Sequence, residues 1–236
     1  MKELHCSSLF LGLILLILVV VSSCRIPFDL LSTPTPVPRN AWLTEWLEDP
    51  VCQPPCFMEI IPGVTTITET LQILSARPDV QITSGPLVDI DGTTKELSWD
   101  FTTPTQYDGA RMITDEEGKT ISIIDMGPGL HQSLTVADVI THYGPPESVY
   151  HADCRGRECV VHLVYLSSGM VLETFLPAKV DKNYKHSVDI SAETLVGEIW
   201  FFPPGEDGYR GAFGFWADYL SESQLQWEGY TTYKEK

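Results

Sequence analysis

Positive charge is scarce in this chain: 15 lysines and arginines stand against 32 aspartates and glutamates, a formal net charge of -17 over 236 residues. Phosphate backbones and anionic headgroups are held by clustered Lys and Arg, so nucleic acid and direct adhesion to an anionic lipid surface are both excluded as partners. Long apolar runs are also lacking. The longest, Leu9 to Val21, is about 13 residues, short of the roughly 20 that a bilayer-spanning helix needs. The common catalytic signatures are missing too: there is no G-x-S-x-G elbow, no H-E-x-x-H, no phosphate loop and no C-x-x-C. The acids of "VDIDG", Asp89 and Asp91, lack the remaining ligands of a calcium loop and fit a hairpin turn. No motif calls for a cofactor or a metal, and a non-enzymatic protein is expected.

The chain's most informative feature is that same apolar run. It leads at once into Val21-Ser22-Ser23-Cys24, which makes residues 1–23 the expected signal peptide. An aliphatic residue and two small ones before cysteine resemble the lipobox of bacterial lipoproteins. The resemblance implies that Cys24 is lipidated and becomes the first mature residue. An uncleaved anchor and conventional cleavage are the alternatives, and both still export the domain. Lys2 and Glu3 leave together with the signal, so the mature chain keeps its acidic balance. Residues 24–40 include "LLSTPTPVPRN", a Pro- and Thr-rich tether with no apolar periodicity. The expected location is the extracytoplasmic face of a cell or outer membrane, held by the lipid anchor.

Beyond the tether about 195 residues remain, enough for one large domain or two small lobes. With 43% hydrophobic and 10% aromatic residues, the chain can bury a sizeable core. "NAWLTEWLEDP" predicts a short helix from an Asn40 cap to a Pro50 stop, with Leu43, Trp46 and Leu47 on one face. A faint internal repeat then sets "TTITETLQILSARP" (65–78) beside "QSLTVADVITHYGP" (132–145), so that Thr66 meets Ser133, Ile73 meets Ile140 and Pro78 meets Pro145. Each copy predicts a helix entered from a hydroxyl cap, with capping-box spacing at Thr66/Glu69 and Thr135/Asp138. In the second, Val136, Val139, Ile140 and Tyr143 form one apolar stripe.

Strand-like segments follow each helix: "PLVDI", "KELSWDF", "ARMIT" and "TISIIDM", then "SVYHA", "CVVHLVYL", "MVLETFL" and "TLVGEIWFF". "GAFGFW" predicts one more strand, while "DEEG" and "GEDG" read as solvated turns. The expected fold is therefore α+β: two related helix-plus-antiparallel-meander units, 41–128 and 129–236, with helices on one face of the sheets. A Thr-capped helix closing in Gly-x-Pro before a meander resembles the small outer-membrane lipoproteins of the β-barrel assembly machinery. In tandem it resembles the β-lactamase-inhibitor-protein fold. "PCFMEIIPGVTT" is similar to a segment of uncharacterised bacterial lipoproteins. Those families act by binding proteins, so the resemblance implies an envelope protein partner and carries over no catalytic residue.

Of six cysteines, Cys6 leaves with the signal and Cys24 is the lipid candidate. Cys52, Cys56, Cys154 and Cys159 remain, in a compartment where disulfides persist. Four cysteines allow three connectivities, and a four-cysteine zinc site is an alternative. A local bridge stabilises by only about 2 kcal/mol against about 4.7 for one closing about 100 residues, yet each local pair is already held close by its own chain. Local pairing, Cys52 with Cys56 and Cys154 with Cys159, is expected.

In "HADCRGRECVVH" (151–162), a hairpin with the loop Arg155 to Glu158 sets Cys154 opposite Cys159 and His151 opposite His162. Strand alternation then puts the cysteines and the histidines on opposite faces, so a single metal site would need a bulge. Beside the four-cysteine alternative, His151 and His162 are the metal candidates, as a cross-strand pair. His142 is expected at the surface, and His131 and His186 have no evident local partners. The expected role is a non-enzymatic interaction, scaffold or inhibitor-like domain, with the aromatics of "EIWFFPPGEDGYRGAFGFW" as candidate anchors. The alternative is an envelope enzyme or metal-binding protein using His and carboxylate residues.

Overall fold

The computed structural model describes residues 46–49, 51–84, 88–89, 94–102, 109–127, 134–214 and 224–234. The signal peptide, Cys24, the tether, most of the helix expected after Asn40, the Asp91-Gly92 turn and His131 lie outside these residues. Three α-helices are described, α1 (Ile67–Ala76), α2 (Val136–Tyr143) and α3 (Glu206–Phe213), besides a helical turn at 46–48 and a 3-10 turn at Leu166–Ser168. The strands are β1 (Val80–Ile82), β2 (Val88–Asp89), β3 (Lys95–Phe101), β4 (Gly109–Thr114), β5 (Ile121–Met126), β6 (Ser148–Arg155), β7 (Glu158–Tyr165), β8 (Met170–Val180), β9 (His186–Asp189), β10 (Glu198–Phe201), β11 (Leu225–Gln226) and β12 (Thr232–Lys234).

Two meanders form as their alternation dictates, β3-β4-β5 in the first half and β6-β7-β8 in the second. Each would leave an open edge, β5 in one and β8 in the other. The late strand β10 fills both, pairing antiparallel with β5 and with the first four residues of β8. One 12-stranded sheet results, in the order β1-β3-β4-β5-β10-β8-β7-β6-β11, with β2 on β3 and with β9 joining β8 to β12. The α+β expectation is thereby corrected. The molecule is mostly antiparallel β, with short helices beside one continuous sheet, where two helix-backed units were expected. The physical reason is edge closure: an unpaired strand edge exposes a row of N–H and C=O groups, and β10 satisfies two such rows at once.

The sheet's register explains its core. Directly paired residues on one face run Trp99, Ala110, Met126, Ile199, Leu172, Leu163, Val149 and Leu225, across eight strands. All but Leu225 are buried, and Leu225 packs against the same cluster. Phe57, Ile60, Leu74, Val136 and Val139 cover this face from the loops and helices. The helices enter as expected: Thr66 and Thr135 cap α1 and α2, each in a complete capping box with Glu69 and Asp138.

Those caps shift the repeat. Thr66 corresponds to Thr135 and not to Ser133, and each cap residue makes an isolated antiparallel bridge, to Thr120 and to Leu195. In this register Thr70 matches Val139, and both are buried.

One strand expectation fails outright. "GEDGYRGAF" supplies helix α3 in place of a turn and the start of a strand, because Tyr209, Ala212 and Phe213 recur at i, i+3 and i+4, with Glu206 and Asp207 in the favourable first turn; the last two residues of the expected strand lie outside the described residues. Among the described residues no helix is long and apolar enough to cross a membrane.

Candidate ligand-binding site

The sheet's other face is chemically divided. Its pairing rows run Ser98, Arg111, Asp125, Trp200, Val171, Val164 and Ser148, and, in the next row, Glu198, Glu173, His162 and Tyr150. Helix α3 covers the apolar end, where Tyr209 and Phe213 pack with Phe202, Tyr150, Val164 and Val171. Most of the aromatics that were candidate anchors are core residues covering the sheet: Phe202 and Tyr209 are buried, and the Phe213 ring lies 5.3 Å from the Trp200 ring.

Beyond Trp200 the face is polar. Arg111 donates from Nε to Asp125 Oδ2 at 2.6 Å, and its guanidinium sits 5.8 Å from the Trp200 ring centroid. Asp125 is 3% exposed, and among the described residues no hydrogen bond reaches its Oδ1. A hollow of about 340 Å³ opens here, lined in part by Ser98, Asp100, Arg111, Asp125 and Glu198.

Glu198 sits directly across from Glu173, a like-charge pair that costs energy when both are ionised. Burial, with the charges of Asp125 and Glu173 added and that of Arg111 opposing, pushes the Glu198 carboxyl up to about 7. Burial also raises Asp125, outweighing the attraction of Arg111. His162, next along the row, binds Glu173 Oε2 through Nε2 at 2.8 Å with Phe213 over it at 6.0 Å. The site is therefore a partly buried acid cluster, with Asp125 at its buried end and the Arg111 guanidinium beside it, able to take up a proton or a cationic group near neutral pH.

The cysteines form the two expected local disulfides, Cys52–Cys56 and Cys154–Cys159. The β6–β7 hairpin sets Cys154 opposite Cys159 and Arg155 opposite Glu158, but an extra residue at 152 shifts the register between His151 and Asp153. His151 consequently faces Val161, and His162 faces Tyr150. The expected cross-strand histidine pair does not form. His162 lies on the polar face, while His151 is turned to the cysteine side, where its ring and the two sulfurs have ligand atoms within 4.8 Å of one another. His142 is exposed on α2, as expected.

Sequence reasoning alone misses Arg111, Asp125, Glu173 and Glu198. A signal is there: each acid interrupts an apolar strand, in "ISIIDM", "VLETF" and "GEIWF". Strand alternation alone assigns Asp125 to the face opposite Ile124 and Met126, and a buried carboxylate in such a place is rarely idle. No protein-family model matches this sequence, and comparison with curated proteins and with solved structures finds no similar one.

Proposed function

We propose that this chain is a lipid-anchored extracytoplasmic envelope protein whose sheet face binds a partner through a cationic group, an ammonium or guanidinium that enters the hollow between Asp125 and Glu198. The observation that carries the reading is Asp125, almost wholly buried, with one carboxylate oxygen unpartnered among the described residues, and lining an open hollow. A buried carboxylate oxygen without a donor costs on the order of 1–3 kcal/mol, and an incoming N–H recovers it. Electrostatics supports the same choice: a chain of net charge -17 draws basic partners to its surface. The signal and tether support the address, with Cys24 as the lipidated residue. In-cell cross-linking of the anchored protein, followed by mass spectrometry, is expected to recover one stoichiometric envelope partner from wild type and to lose it in Asp125→Asn. Equal recovery from both would refute the hollow as the docking point. Cys24→Ala is expected to abolish fatty-acid labelling, and persistent labelling would refute the anchor.

A second reading has one observation in its favour. Glu198, with its proton held to about 7, is poised as a general acid or base beside a hollow large enough for a small substrate. Turnover with a bell-shaped pH profile that Glu198→Gln removes would replace binding with catalysis.

A further inference from the structure

We propose that the tip of the β6–β7 hairpin is a thiol-gated metal site: when the Cys154–Cys159 disulfide is reduced, the two thiolates and the His151 imidazole bind one soft divalent cation such as zinc. The geometry is set by the bulge. Without the extra residue at 152, His151 would alternate to the opposite face from Cys154; with it, His151 joins Cys154 and Cys159 within a 4.8 Å group. Among the described residues no other set of three His, Cys, Asp or Glu brings its ligand atoms this close.

The ligand chemistry selects the ion. Two sulfurs and one nitrogen suit zinc, with Zn–S bonds of about 2.3 Å and Zn–N of about 2.0–2.1 Å, so the sulfurs need part only to roughly 3.8 Å. Cys159 and His151 are buried, at 0% and 5% exposed, and a bare dication would not be tolerated there. Two thiolates cancel its charge, and a neutral imidazole adds none. Cys154 is only part-buried, beside the exposed turn from Arg155 to Glu158, which gives reductant and metal a way in.

The steps balance. A dithiol reductant passes two electrons and two protons to the S–S bond, leaving two protein thiols and the oxidised dithiol. Zinc then displaces the two thiol protons and forms two Zn–S bonds, while His151 contributes a nitrogen lone pair. Water takes the fourth position.

The test uses the full-length protein with Cys52→Ser and Cys56→Ser, so that the second pair cannot contribute. Cobalt(II) replaces zinc as the probe, since thiolate-to-cobalt charge transfer absorbs in the near ultraviolet. After reduction, one equivalent of cobalt is expected to bind with that absorption and to be displaced by zinc. The oxidised protein is expected to show none, and His151→Ala to weaken binding at least tenfold. Circular dichroism follows folding throughout. Charge-transfer absorption unchanged in His151→Ala would overturn the proposal. So would a folded, reduced chain that binds no cobalt, or a reduced chain that unfolds and is not restored by zinc.

Discussion

Glu198 shows how a single residue reveals the cost of this site. Its carboxyl titrates near 7 in the folded protein and near the ordinary glutamate value of 4.5 when unfolded. Between those values the folded state holds a proton that the unfolded state has released, so stability falls as pH rises from about 4.5 to 7 and is level above. Asp125 is shifted the same way and adds to the slope. After discounting for solvent screening of a part-exposed group, Glu198 accounts for about 2 kcal/mol. Urea unfolding of wild type at pH 5 and pH 7.5 is expected to show this loss, and Glu198→Gln is expected to remove most of it while being the more stable protein at pH 7.5. Wild type gaining stability over that interval would refute the assignment. A residue that destabilises the folded state, kept beside an aspartate whose Oδ1 receives no hydrogen bond among the described residues, marks a place where sequence and fold disagree locally, and such places are where function is expected.

At the scale of elements, α3 is the piece on which the polar site depends, because it covers His162 and walls off the apolar end of the sheet. Its fit rests on Gly208, where a Cβ would collide with the backbone carbonyl of Pro203. Gly208→Ala is expected to cost about 2 kcal/mol or more and to raise amide hydrogen exchange across 206–213. Unchanged protection there would show that the helix yields at no cost. The hairpin clasp makes a smaller contribution: Cys154→Ser with Cys159→Ser is expected to lose about 2 kcal/mol, read from the urea midpoint.

These elements also show what can be read in the residues. β3, β4, β5, β7 and the start of β8 are legible within a residue or so, since alternation is a local signal, and so are the two capping boxes. The bulge at 152 is not, because a single extra residue leaves the alternation on each side intact and changes only which face His151 meets. Helix α3 escapes a local reading because Gly208, Gly211 and Gly214 look like breakers when the apolar stripe through Tyr209 and Phe213 has no visible partner. The site's acids are scattered across three strands, and only the pairing register brings them together.

At the scale of the whole molecule the decisive element is β10, four residues that turn two meanders into one sheet. Its position between β5 and β8 is a long-range pairing, which no local pattern announces, and this is why a pair of helix-backed units is the natural reading of the repeat. Ile199 lies at the middle of the core row, 1% exposed, paired with Met126 of the first meander and Leu172 of the second. Truncating a large buried aliphatic side chain costs about 2–5 kcal/mol through lost transfer and a residual cavity. Because residues Asn40–Lys236 cluster as one unit and β10 belongs to both meanders, that loss is shared by the two halves. Ile199→Ala is therefore expected to shift a single unfolding transition, with amide exchange in β4 of the first meander and in β7 of the second changing at the same urea concentration. Two separated transitions, with the β3-β4-β5 half keeping its wild-type midpoint, would mean that the repeat units fold independently and that β10 merely lies between them.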